Sequence, residues 1–233
     1  MYSNLMPITR ILLSGLGSLL IFTASFAQLQ RTLEVEHNGA GQTWYVAGNF
    51  FSFFTVESNV LAALVLLIGA AFAMLGKTDP RWLHHARTAV TAYMIITGIV
   101  YNLLLRNIEL PQGTTVAWSN EILHIVAPLI VLLDWYYQAR AQGFKSCPIG
   151  WVLAYPLAWV LYTLVRGEIV RDPRSGGSWY PYPFLNPELG GNSYETVCLY
   201  ILAIATLVLL TVLVLNILGR HLNSKRLNLE YSH

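Results

Sequence analysis

Residues 61–75 read LAALVLLIGAAFAML and residues 201–219 read ILAIATLVLLTVLVLNILG. Neither run carries a charge, and with their flanks both reach the roughly 20 apolar residues that a helix needs to cross a hydrocarbon core. The runs are continuous, which excludes a transmembrane barrel, whose strands would alternate apolar and polar positions. Working outward from these two, four further stretches qualify, giving six spans at about 8–29, 50–75, 86–105, 120–138, 149–166 and 195–219. They fill more than half of the 233 residues and leave no room for a separate soluble domain. The expectation is an all-α polytopic bundle, a single membrane domain over 1–233 with a tail at 220–233. The third and fifth spans carry Thr, Tyr and Trp, which predicts helices inside the bundle rather than against lipid.

Composition agrees. Hydrophobic residues make up 55% and charged residues 11%, against roughly 25% charged in a soluble chain. Fourteen Lys+Arg against twelve Asp+Glu leave a net charge of +2, too small to suggest a nucleic-acid partner. Two cysteines without a CxxC pair exclude a disulfide scaffold and a cysteine zinc site. Phosphate-loop, dinucleotide, HExxH and GxSxG motifs are absent. Neither a metal nor a cofactor is expected, and the partners expected are membrane lipids and a lipophilic small molecule.

Basic residues orient the bundle. With a cytoplasmic N-terminus, nine lie inside (Arg10, Lys77, Arg81, Arg87, Arg140, Lys145, Arg220, Lys225, Arg226) and five outside (Arg31, Arg106, Arg166, Arg171, Arg174). That bias predicts both termini on the cytoplasmic side of a cell membrane. Six acids on the outer side, among them Glu36, Glu109 and Glu188, contribute little to orientation. The first span has an alternative reading as a signal peptide ending at Ser25-Phe26-Ala27, although its length and its single preceding charge argue for a retained helix. The tail with Arg220, Lys225 and Arg226 reads as an anchor to anionic lipid. Cys147 and Cys198 fall on opposite sides and are not expected to pair.

Ionisable groups inside a span are costly, so their depth is informative. If the second helix starts at 50, Ser52, Thr55 and Asn59 share one face, with Thr55 ~8 Å below the outer end. His124 enters the fourth span at nearly the same depth, with Asn120 and Glu121 one turn above it. Asn102, Tyr162, Arg166 and Glu195 close the outer ends of their helices. Polar groups from five helices thus converge on one level, while the other half is nearly bare, with Asp134 the main exception. Taken singly, Thr55 could bond back to its own helix and His124 could simply bridge helices. Glu57 points roughly 200° around from Thr55. Pro128 cannot donate to the carbonyl of residue 124, so the helix is loosened where the histidine sits. The loop GGSWYPYPFLNPELGGNSYE (176–195) reads as a cover over a site or as an aromatic belt at the headgroups.

A hydroxyl and an imidazole at matched depth are the parts of a nucleophile–base pair, Thr55 attacking an acyl carbon and His124 taking its proton. Asn59, Asn120 or Tyr162 could supply the oxyanion donor. FFTVESNVL (53–61), WSNEILHIVAPLIVLLDW (118–135), WVLYTLVRGE (159–168) and WYPYPFL (179–185) together resemble the pattern of the androgen-inducible membrane protein family. The resemblance covers order and spacing from about 50 to 219. Animal members of that family are intramembrane threonine hydrolases that cleave fatty acid esters of hydroxy fatty acids. The resemblance implies Thr55 as nucleophile and His124 as essential histidine, with Asn120, Pro128 and Asp134 matching around them. It departs at Glu121, where animal members carry a second histidine, and there the acid could orient His124. Two other classes fit the same sequence: a transporter or proton-coupled carrier using Glu57, His124 and Glu195 as a relay, and a non-catalytic lipid-binding protein.

Overall fold

A computed structural model describes residues 2–37, 42–108, 114–172 and 176–230, with the side chains of 2–7, 36–37 and 225–230 left out. Glu109 and Arg174 therefore lie outside the described residues, as do the side chains of Glu36, Lys225 and Arg226. In chain order the helices are α1 (Tyr2–His37), α2 (Thr43–Phe50), α3 (Phe54–Met74), α4 (Arg81–Val100), α5 (Ala117–Glu121), α6 (Ala127–Gln142), α7 (Ile149–Ile169) and α8 (Tyr194–Glu230). A π turn, Tyr101–Leu105, prolongs α4, and another, Ile122–Val126, joins α5 to α6 into one rod. Six helical stretches are long and apolar enough to cross a membrane: Ile8–Val35, Phe54–Met74, Arg81–Leu105, Ala117–Gln142, Ile149–Ile169 and Tyr194–Ser224. No strand forms among the described residues beyond an isolated bridge between Arg171 and Ser178. The chain is an all-α polytopic bundle.

Small residues decide which helices are central. In lipid, close packing and hydrogen bonds hold helices together, not an apolar driving force. A Cβ at Gly17 would stand 2.7 Å from Ile130 and 3.3 Å from Leu66, and Ser18 Oγ donates to the Ala63 carbonyl at 2.8 Å. Glycine and serine thus let α1 lie directly against α3 and α6. Half of the most apolar window in α3, in α4 and in the α5–α6 rod is buried, against 11% for α7. The fifth span is therefore peripheral, not interior as its Tyr and Trp content predicts. Its polar residues serve one edge, where Trp159 and Thr163 are buried.

The second span also begins later than expected. Helix α2 ends at Phe50, residues 51–53 turn, and α3 starts at Phe54. Ser52 sits in that turn, so it shares no helix face with Thr55 and Asn59. Its hydroxyl donates to the Gly48 carbonyl at 2.6 Å and lies 2.8 Å from the Tyr162 hydroxyl.

The end of the bundle where α1 begins and α8 ends is not bare. Asp79 and Asp134 are buried there with Arg10 and Arg87. Arg10 binds Asp79 at 2.9 Å, Arg87 binds Asp79 at 2.8 Å, and Arg87 also pairs with Asp134. Ser14 donates to Asp134 at 2.6 Å. Two cations and two anions cancel, which is the condition under which buried charge is tolerable. Gly69 makes room for it, since a Cβ there would meet Arg87 Nη2 at 1.7 Å.

Candidate functional site

The site lies at the opposite end, and its geometry starts from two helix irregularities that face each other. In the first π turn Arg106 N–H reaches the Tyr101 carbonyl at 2.8 Å, an i→i+5 bond. Such turns expose backbone groups and re-aim side chains. The Tyr101 ring stacks on the His124 ring, carried by the other π turn, with centroids 3.8 Å apart. Asn120 Nδ2 donates to the Tyr101 hydroxyl. Asn59, fully buried, donates to the Leu123 carbonyl at 3.1 Å and to the Thr55 carbonyl at 2.8 Å. It thereby ties the start of α3 to the histidine's turn.

His124 Nδ1 lies 2.8 Å from the Asn120 carbonyl oxygen. A carbonyl only accepts, so Nδ1 carries the proton and the basic lone pair is on Nε2, which makes no hydrogen bond among the described residues.

Thr55 occupies the first turn of α3, not a depth of one and a half turns. The carbonyl four residues back belongs to the preceding turn, so the usual back-bond of a membrane threonine is unavailable. Thr91, by contrast, donates to the Arg87 carbonyl at 2.7 Å and Thr211 to the Leu207 carbonyl at 2.8 Å. Thr55 N–H, one of the orphan donors of a helix start, donates instead to the Tyr182 hydroxyl at 3.1 Å, and Thr55 Oγ1 lies 3.2 Å from the same oxygen. Burial pushes the Tyr182 phenol above the usual tyrosine range, so it stays protonated and able to donate.

Tyr182 comes from the aromatic loop, which packs onto the bundle. Its ring stacks on Phe184 at 5.2 Å and meets Phe53 edge-on at 5.6 Å. Tyr182 and Leu185 are buried. Gly167 holds the loop down, because a Cβ there would meet the Tyr180 ring at 2.2 Å. Arg166 donates to Asn49 at 2.6 Å and lies over the Trp179 ring at 4.6 Å, which joins α7, α2 and the loop.

These elements border a partly open chamber of about 470 Å³. Thr55, Asn120, His124, Tyr101 and Tyr182 all line it, as do Gln28, Asn49, Thr114 and Asp172, among apolar residues such as Phe50 and Ile108. The expected nucleophile and base therefore share one cavity. No hydrogen bond joins them among the described residues.

The supporting residues divide. Asn120 lines the chamber, but Asn59 and Tyr162 do not: Asn59 is locked between helices, and Tyr162 pairs with Ser52 and is 45% exposed. Glu121 forms an ion pair with Arg106 at 2.6 Å, and Arg106 also donates to Asn102. The acid therefore anchors the rim rather than orienting His124. Glu57 bonds Tyr155 at a different interface, and Glu195 is exposed at the start of α8. Tyr101 and Tyr182 are the members that sequence reasoning did not single out. The signal for Tyr182 was its place in the YPYPFL run, whereas Tyr101 had none.

No family model, curated protein or solved structure matches the chain.

Proposed function

We propose that the protein is an intramembrane hydrolase of lipophilic acyl esters, with Thr55 as nucleophile and His124 as general base. One observation carries this reading: a threonine hydroxyl freed from its own helix and a histidine with an unengaged Nε2 line the same chamber. The resemblance of the segments around these two residues to a family of threonine hydrolases points the same way.

The chemistry follows from the groups present. Thr55 Oγ attacks the acyl carbon and its proton passes to His124 Nε2. The Nδ1–H bond to the Asn120 carbonyl steadies the imidazolium so formed. The Tyr182 hydroxyl, adjacent to Thr55, can donate to the developing oxyanion. Collapse breaks the ester C–O bond, and the leaving alkoxide takes the proton from His124. Water then attacks the acyl-threonine, giving one proton to His124, which returns it to Thr55 Oγ as the acid departs. The missing Thr55–His124 contact is compatible with this, because catalytic hydrogen bonds often tighten only around substrate.

In this reading the protein sits in a cell membrane with both termini cytoplasmic, and the chamber faces the outer side. The test is hydrolysis of long-chain acyl esters by purified protein in nanodiscs. Turnover should be lost in both Thr55→Ala and His124→Gln; turnover that survives in both variants removes the assignment.

A further inference from the structure

A second cavity meets the chamber at the reactive wall. It is a narrow slot of about 80 Å³, and Thr55, Tyr101, Leu105 and Tyr182 line both spaces. Away from that wall the slot is apolar, formed by Ile96, Leu153, Val160, Ile201, Ala205 and Val208. Residues 201 to 208 of α8 correspond to ~10 Å along the helix axis. Leu157, on the slot's edge, is 54% exposed and lies within a membrane-spanning helix, so the slot opens sideways between α7 and α8. Chamber and slot thus differ in degree: the chamber is roomy and mixed, with Gln28, Asn49, Thr114 and Asp172 set among apolar residues such as Phe50 and Ile108, whereas the slot is slender, apolar and lipid-facing.

We infer that the slot holds a single acyl chain, entering from the bilayer between α7 and α8, while the chamber holds the polar alcohol part of the same lipid. The site would then take esters with one chain on the acyl side and an alcohol part that carries polar groups, such as glycerol. The polarity step at Thr55 and Tyr182 argues for this direction, because an ester carbonyl is the one point in such a molecule where apolar chain gives way to polar group. A chain gains little free energy by leaving lipid for an apolar slot. The slot's contribution is therefore placement: it fixes the carbonyl beside the Thr55 hydroxyl, which is how positioning groups raise rates. The inference rests on the hydrolase reading for the fate of the ester bond, and on the cavity geometry alone for the chain.

The test separates the two. Full-length protein in nanodiscs is irradiated with a monoalkyl glycerol ether carrying a diazirine at its chain end, an ether that cannot be hydrolysed. Adducts mapped by mass spectrometry should fall on segments 153–160 and 201–208 and persist in Thr55→Ala. They should be lost in Ala205→Phe and, as a second occluding variant, in Ile201→Trp. Leu199→Trp on the 67% exposed face of the same helix should keep them. Adducts spread over other helices, or unchanged by both occluding variants, would overturn the slot. The ester counterpart is assayed in parallel. Slot adducts without ester turnover would leave the slot standing and remove the hydrolase reading, whereas turnover with adducts elsewhere would do the reverse.

Discussion

At the scale of the residue, the place of Thr55 at a helix start decides what its hydroxyl meets. Thr88, Thr91, Thr206 and Thr211 all donate to a carbonyl four residues back. Thr55 stands where no helical carbonyl precedes it, and its hydroxyl turns to Tyr182 instead. Thr55→Ser should retain turnover that Thr55→Ala loses, since the serine hydroxyl can reach the same position. His124→Gln should lower kcat by about two to four orders of magnitude, the usual worth of a general base, while leaving the protein folded by size exclusion. Tyr182→Phe removes the acceptor of the Thr55 N–H. That donor is half-buried, so its loss of a partner costs at most the roughly 1–3 kcal/mol of a buried one; thermal stability should fall slightly, and kcat should fall more than KM rises if the phenol also serves the oxyanion. The raised Tyr182 pKa has a signed consequence. Above about pH 10 the unfolded chain loses this proton while the folded one keeps it, so stability declines as alkaline pH rises. Alkaline melts of wild type and Tyr182→Phe should converge.

At the scale of the element, two π turns and one glycine set the histidine's position. A Cβ at Gly98 would stand 3.2 Å from the His124 carbonyl oxygen and 3.6 Å from Pro128. That is contact with backbone, which cannot swing aside. Gly98→Ala should therefore displace the turn that carries His124 and reduce turnover, with a smaller loss of stability; unchanged kinetics would show that the turn tolerates movement. Part of this was legible beforehand. Pro128 announces a loosened helix at His124, because a proline cannot bond to the carbonyl four residues back. The i→i+5 bonds themselves leave no mark in sequence. The break at 51–53 was hidden for a related reason: FFSFF contains neither proline nor glycine, and tertiary contacts fix it, Trp159 Nε1 donating to the Ser52 carbonyl at 3.2 Å and Tyr162 meeting the Ser52 hydroxyl. Tyr162 was thus read as a supporting member of the site and Ser52 as sharing a helix face with Thr55, whereas the two form a neighbouring brace.

At the scale of the molecule, the bundle divides into an end with the chamber and an end locked by charge. Hydropathy located the six helices, since length and polarity suffice for that. Thr, Tyr and Trp content marked α4 as interior, where half of the most apolar window is buried, but failed for α7; side-chain size also decides, and α3 is buried through Ala62, Ala63, Gly69 and Ala70 despite being strongly apolar. Counting Arg10 and Arg87 only toward orientation also hid the network, since only the folded chain brings them to Asp79 and Asp134. Removing one member leaves a buried charge uncompensated, at a cost of about 3–5 kcal/mol. Asp79→Ala and Asp134→Ala should each lower the melting temperature or abolish expression, and Gly69→Ala should do the same by pushing Arg87 aside. An Arg87→Met, Asp134→Leu double variant should be milder than the sum of its singles. Cys147 offers a readout. It is buried in the loop pinned by Asn216, which accepts from its N–H at 2.9 Å and donates to its carbonyl at 3.1 Å. Burial pushes its thiol up to about 11. Maleimide labelling of Cys147 at neutral pH should be slow in wild type and rapid in the network variants.

The central claim, that the Thr55 hydroxyl is made nucleophilic by His124, is tested most directly by mapping where a fluorophosphonate bonds to the purified protein in nanodiscs. The account predicts a single adduct on the peptide containing Thr55, absent in Thr55→Ala and strongly reduced in His124→Gln. An adduct on another residue, or one on Thr55 that forms equally fast without the imidazole, would contradict it.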